Sequence, residues 1–255
     1  MIRACGVSEA GSVRKTNEDR FITDAELNLF AVADGMGGHR AGEVASRLAI
    51  EALTAFVRVS VTDMDVTWPY GIDPKLSFEG NRLRTAVCLA NRRVFRASES
   101  SDDYAGMGTT IVSVLIKGPQ AAIGSVGDSR IYLLADGALQ QLTVDDSWAA
   151  RILAQDSGLG PEDVAKHPMR HVLTNVIGAR ESVDVHLLEH TLAHGQVLLL
   201  CTDGLHGVLQ PDVIRDILSN TPDVTVAAQT LVDKAIALGT RDNVTALVVR
   251  YEADE

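Results

Sequence analysis

An apolar run, Leu29 to Ala33, delivers Asp34 into the glycine turn Gly35-Met36-Gly37-Gly38-His39, and a long helical pattern follows at once. From Arg40 onward Ala41, Val44, Ala45, Leu48, Ala49, Ala52, Leu53 and Phe56 recur at spacings of three and four, one stripe of an α-helix. Glycine has no Cβ, so the backbone of this turn can come close to a ligand and present carbonyl and N–H groups beside the Asp34 carboxylate. That geometry suits a cation or a phosphate. A plain strand-to-helix connection carries the same signature, so the rest of the chain has to decide.

The remaining periodicities predict a second helix over Glu79 to Ala97, with Leu83, Ala86, Val87, Ala90 and Val94 on one face. Between the helices, Val61 to Ser77 contains Pro69, Gly71 and Pro74 and reads as a loop. Short β-rich runs then follow at Thr109 to Ile116, Ala121 to Val126, Ile131 to Leu134 and Leu139 to Leu142, the pattern of an antiparallel meander. Ser147 to Gln155 reads as helical and Asp156 to Ser182 as irregular, together a flap over about residues 145–182. Val183 to Leu188 and Gln196 to Cys201 read as strands, Asp212 to Leu218 and Thr225 to Leu238 as helices. Asn243 to Tyr251 is a last strand, apolar on both faces. These elements predict an α+β fold of two packed antiparallel sheets covered by helices.

The chain has 255 residues, of which 46% are hydrophobic, enough for a large core; that length is the upper end of one domain or two small ones, and 1–255 is read as one. Apolar runs such as Val197 to Cys201 are far shorter than the ~18 residues of a membrane span. The first residues lack a secretory pattern, so a cytoplasmic location is expected. Cys5, Cys88 and Cys201 show no ligand spacing and are expected to be reduced core residues. A formal net charge of −11 argues against a nucleic-acid partner.

Asp19, Asp34, Asp128, Asp203 and Asp242 each fall where an apolar strand meets a glycine or polar turn. Singly, each reads as a turn-forming Asp. Together they point to a site, because strand ends of a sheet sandwich can converge. Gathered carboxylates repel and raise one another's pKa, and a divalent cation removes that cost. All-oxygen ligation suits Mg²⁺ or Mn²⁺, and the lack of a Cys/His cluster argues against zinc.

In chain order the segments Arg14-x-x-Asn17-Glu18-Asp19, Asp34-Gly35-Met36-Gly37-Gly38, Gly108-Thr109-Thr110, Gly127-Asp128-Ser129-Arg130, Thr202-Asp203-Gly204 and Asp242-Asn243 resemble the metal-dependent serine/threonine phosphatases of the protein phosphatase 2C family, in their compact bacterial form. The resemblance runs from about Val7 to Tyr251. It implies a four-layer α-β-β-α sandwich with a two-metal Mg²⁺ or Mn²⁺ centre at one end. By similarity Asp34 bridges the ions, the Gly35 carbonyl binds one, and Asp203 and Asp242 bind the other. Asp128 with Asp203 matches a third, weaker position. Arg14 matches the arginine that grips the substrate phosphate, and Glu18 and Asp19 match acids that position water around the ions. The implied reaction is direct attack of activated water on phosphoserine or phosphothreonine in proteins, opposing a cytoplasmic kinase, with no phospho-enzyme.

Many animal and fungal members carry histidine where this chain has Met36, and methionine cannot protonate a departing alkoxide. His39 is the candidate acid in its place, or a water at the third ion. His206 reads as a surface turn histidine, and His167 and His171 lie in the flap, where they could meet a substrate protein. Other readings are a hydrolase of small phosphoesters, or a silent interaction module of the same fold. Against the silent module, Asp34, Asp203 and Asp242 are all retained.

Overall fold

Residues of β3 (Leu29–Met36) divide by parity: Leu29, Ala31 and Ala33 join one core cluster while Phe30 and Val32 join another. Successive strand side chains point to opposite faces, so a strand apolar at every position must be covered on both sides. The computed structural model describes residues 1–38, 40–63, 65–154 and 161–253.

One sheet orders its strands β1 (Ile2–Glu9), β11 (Val244–Tyr251), β10 (Val197–Cys201), β7 (Arg130–Ala135) and β8 (Ala138–Gln141). The other runs β2 (Asp19–Asp24), β3, β5 (Ile111–Lys117), β6 (Gln120–Val126) and β9 (His186–Thr191), with the short β4 (Gly108–Thr109) paired to the end of β3. Every pairing in both sheets is antiparallel. Phe30, Val32, Val112, Val114, Leu198, Leu200, Leu247 and Val249 fill the space between the sheets.

Helices α1 (Ala41–Thr62) and α2 (Phe78–Ser100) cover the outer face of the second sheet, and α6 (Pro211–Asn220) and α7 (Val224–Ala237) that of the first. This is the α-β-β-α sandwich expected from the sequence. Ala41, Ala45, Ala49, Ala52, Leu53 and Phe56 form the buried face of α1, with Val44 and Leu48 at its margin. Ser77 caps α2 by accepting from the Gly80 N–H at 3.0 Å, and Asp223 caps α7 through the Thr225 and Val226 N–H groups.

Several expectations change. The runs between Thr109 and Leu142 are not one meander: β5 and β6 pair in one sheet, β7 and β8 in the other, and Gly127-Asp128-Ser129 carries the chain across. Periodicity reports a strand but not the sheet it joins. The predicted strand at Val183 to Leu188 lies later, at His186–Thr191, and Ile2–Glu9 is an additional edge strand. The flap holds α3 (Trp148–Ala154) and α4 (Pro161–Lys166), and residues 155–160 of it lie outside the described residues. Cys201 is buried, whereas Cys5 and Cys88 are only half-buried, and all three are free thiols.

Candidate metal centre

Strand pairing sets Asp19 directly opposite Asp34 across β2 and β3. Like charges so placed destabilise a sheet unless something offsets them. Asp19 is 1% exposed, and its Oδ2 accepts from Thr202 Oγ1 at 2.9 Å and Thr245 Oγ1 at 2.6 Å, both in the other sheet's half of the fold. Its Oδ1 is buried with no partner. Burial is the larger influence and, with the Asp203 and Asp242 charges, lifts the Asp19 carboxyl to about 7 despite those hydroxyl donors.

Asp34 is held through its backbone by the Gly108-Thr109-Thr110 segment. Its N–H donates to Thr110 Oγ1 at 3.1 Å, and its carbonyl accepts from the Thr110 N–H at 2.9 Å and Thr109 Oγ1 at 2.8 Å. Thr110 Oγ1 also lies 2.7 Å from Ser129 Oγ, which joins this clamp to the turn bearing Asp128. The first turn of α1 packs hard on the Asp34-Gly35 backbone. A Cβ at Gly35 would lie 2.0 Å from the Gly42 carbonyl oxygen and 2.7 Å from that of Glu18.

A second close approach brings in the distant acids. Asp203 opens α5 (Asp203–His206), and a Cβ on the next residue, Gly204, would lie 1.9 Å from the Asn243 carbonyl oxygen. Only glycine lets this turn lie against the segment that carries Asp242. Asn243 holds the N-terminal loop in turn. Its Nδ2 donates to the carbonyls of Ala10 and Thr16 at 3.1 and 2.9 Å, and its Oδ1 accepts from the Glu18 N–H at 2.9 Å. Arg14, on that loop, pairs with Asp242 at 2.7 Å.

These connections leave Arg14, Glu18, Asp34, Gly35, Asp128, Asp203 and Asp242 around one cleft of about 390 Å³, closed on the flap side by His171, Leu173 and Val176. Asp19, beside Asp34 on the neighbouring strand, does not line it. Met36 lines the cleft as well, and His39 lies outside the described residues. Burial, then the charges of Asp19, Asp203, Asp128 and Asp242, pushes the Asp34 carboxyl well above the usual carboxylate range. Burial and Asp203 push Asp128 up to about 7, and burial and Asp242 raise Asp203. Glu18 is raised by burial, which outweighs the opposing pull of Arg14.

Hard divalent cations fit this donor set. It is carboxylate and carbonyl oxygen throughout, and the buried Glu18 Oε1, Asp19 Oδ1 and Asp203 Oδ1 have no hydrogen-bond partner. Among the described residues no three His, Cys, Asp or Glu side chains close into a chelating group by themselves. Both Asp242 oxygens are engaged, Oδ2 by Arg14 at 2.7 Å and Oδ1 by the Asn243 N–H at 2.9 Å.

His206 departs from its reading as a surface turn residue. Its Nε2 lies 3.0 Å from the Asp128 carbonyl oxygen, and burial, aided by the Arg130 charge, lowers its pKa to about 4. A neutral imidazole donating to that carbonyl steadies the Asp128 turn. His167 stacks on Trp148, ring centroids 4.2 Å apart, away from the cleft that His171 lines. The sequence does not show the roles of Asn243, Thr109, Thr110 and His206, although the first three stand inside the family motifs. Their spacing marks the motif but does not show which backbone groups they hold.

A family model described as Protein phosphatase 2C matches residues 11–236. A serine/threonine phosphatase stp of Listeria welshimeri is 32% identical over 249 residues, covering 95% of this chain and 93% of that one. The serine/threonine protein phosphatase PstP of Mycobacterium tuberculosis is 36% identical over 248 residues, covering 97% of this chain and 45% of that longer protein. The crystal structure of the PstP catalytic domain in complex with two manganese ions superposes with a TM-score of 0.81 at 34% identity, covering 98% of this chain and 97% of that one. The fold, with its acid-lined cleft, is that of a phosphatase domain. The chain belongs to the protein phosphatase 2C family.

Proposed function

We propose that this protein is a Mg²⁺- or Mn²⁺-dependent serine/threonine protein phosphatase in which Asp34, the Gly35 carbonyl, Asp203 and Asp242 hold two ions and Asp128 with Asp203 a third. The convergence of Arg14 and the acids on one cleft, with buried carboxylate oxygens left unpartnered, carries this reading. Manganese bound to the PstP relative supports the cofactor, and the relatives' names support phosphoserine and phosphothreonine as substrates.

Divalent ions in such a site supply Lewis acidity toward phosphoryl oxygens and a nucleophile from water at neutral pH. The protein's own groups do the rest. Arg14 leaves Asp242 to make charge-assisted hydrogen bonds to the phosphate oxygens, holding phosphorus in line and balancing charge that spreads over them. With ions in place Asp19, fixed by Thr202 and Thr245, would carry its negative charge beside Asp34. The Thr109 and Thr110 hydroxyls hold the Asp34 backbone while its carboxylate faces the cleft. Phosphoproteins are the substrates, a kinase acting on the same proteins is the counterpart, and the cytoplasm is the place of action, a reading that the three free thiols support.

Substrate class is tested by comparing kcat/KM for a phosphothreonine protein with that for a small alkyl phosphomonoester in Mn²⁺. The protein substrate should be preferred by at least about 10-fold, since contacts beyond the phosphate contribute binding energy to the transition state. A preference for the small ester would assign the cleft to small-molecule hydrolysis.

A further inference from the structure

We propose that Asp146 is a positioning residue for the phosphatase reaction, tying the Gly127-Asp128 turn to the returning limb of the flap. The inference rests on the phosphatase reading, because Asp128 matters through the ion it would hold. Asp146 lies on the chain between β8 and α3, outside the cleft, and every polar atom it has is engaged. Its N–H donates to the Gly127 carbonyl at 2.8 Å, and the Gly127 N–H donates back to Oδ2 at 3.0 Å. Its carbonyl accepts from the Thr174 N–H at 2.8 Å and Thr174 Oγ1 at 3.1 Å. Oδ2 also accepts from Asn175 Nδ2 at 2.8 Å, and Oδ1 meets His186 Nε2 at 2.8 Å.

Three parts of the molecule meet on this carboxylate, whose side chain is 12% exposed. Gly127 is the bend, at φ +97°, where the chain crosses between sheets and aims Asp128 into the cleft. Thr174 and Asn175 belong to the limb on which His171, Leu173 and Val176 form the flap wall of the cleft. His186 begins β9 in the second sheet. The same limb is stitched on either side by Trp148 N–H to Val172 O at 2.8 Å and by the reciprocal Thr109 and Ile177 bonds, both 3.0 Å. Asp146 is the member of this seam whose side chain reaches the Asp128 turn. The distance between the flap wall and Asp128 therefore depends on it.

Geometry and charge give different expectations for two variants. An asparagine at this position can accept from the Gly127 and Asn175 N–H groups through its amide oxygen, while its NH₂ can donate to His186 Nε2 in the tautomer that carries its proton on Nδ1. Asp146→Asn should thus keep the tie, and Asp146→Ala should lose it. In Asp146→Ala the Gly127 amide should exchange with solvent about 10-fold faster or more, and kcat/KM on a phosphothreonine peptide in Mn²⁺ should fall about 10-fold. Both values in Asp146→Asn should stay within about 3-fold of wild type. Should Asp146→Ala fail to fold, Asn175→Ala removes one arm of the tie, together with the Asn175 bond to the Asp184 carbonyl, and should accelerate Gly127 exchange in the same direction by a smaller factor. Unchanged Gly127 exchange in the alanine variants would overturn the tie. An asparagine variant as damaged as the alanine one would overturn it too, in favour of simple charge pairing with His186. A wild-type protein without phosphatase activity would instead overturn the functional reading, and the exchange comparison separates the two failures.

Discussion

Arg14 and Asp242, 228 positions apart in the chain, form an ion pair at 2.7 Å across the mouth of the acidic cleft. The guanidinium proposed to grip phosphate thus rests on a carboxylate proposed to bind an ion. Each masks the other, and the Asp242 hydrogen bond raises the Arg14 pKa. Both groups are partly exposed, so the pair contributes little to stability. Its importance lies in what replaces it when an ion and a phosphate arrive.

Arg14→Ala should therefore leave Tm within a degree or two and lower kcat/KM on a phosphothreonine peptide by about 10- to 100-fold, the range of a lost charge-assisted contact. Steady-state kinetics with saturating Mn²⁺ checks this. Wild-type kinetics in the variant would remove Arg14 from the phosphate site.

Asp203→Asn should weaken Mn²⁺ binding and lower kcat by at least about 100-fold, since Asp203 is shared by two of the proposed ion positions. Calorimetric titration of Mn²⁺ reads the first effect without turnover. Unaltered Mn²⁺ affinity would strike Asp203 from the ligand set.

Gly204→Ala tests the close approach that brings Asp203 beside Asp242. The added methyl would sit 1.9 Å from the Asn243 carbonyl oxygen, so the turn must move. A loss of about 1–3 kcal/mol in stability is expected, together with reduced Mn²⁺ affinity. Retention of both would mean that the α5 turn has slack the close contact does not suggest.

The protons carried by the site's acids set a pH dependence. Burial and neighbouring acids hold Asp19 and Asp128 at about 7, against an ordinary value near 4. The folded chain keeps protons there that the unfolded chain has released. Their contribution to cation-free stability is full below about pH 4 and is lost as pH rises through about 7. In chelator, wild-type protein should lose at least about 1 kcal/mol relative to Asp128→Asn between pH 5 and pH 8, or about 2–4 °C in Tm. Calorimetry at the two pH values measures the gap, and a gap that does not widen contradicts the assignment.

Much of this fold is legible in residue order because its signals are local. The period of α1 and the two-sided apolar character of Leu29 to Ala33 and Val244 to Val249 require a helix and two covered strands. The crossing at Gly127-Asp128-Ser129 is not legible, since the same turn residues serve a hairpin and a passage between sheets. Edge strands were also weakly marked. Ile2–Glu9 is half-buried along most of its length, and His186–Thr191 is largely exposed, so neither shows a clean alternation. In the site, the aspartates announce themselves at strand ends. The bond of His206 to the Asp128 carbonyl, the pairing of Arg14 with Asp242 and the seam at Asp146 do not, because each depends on segments that meet only after folding. Met36 is legible as a departure from the family, but its consequence for proton delivery rests partly on His39, outside the described residues.

Whether the acids of this cleft act by holding divalent cations is decided by phosphate release from a phosphothreonine peptide, measured in Mn²⁺, after chelation, and after Mn²⁺ is restored. Activity should appear with Mn²⁺, vanish in chelator and return on restoration. Full activity in chelator would contradict a metal mechanism.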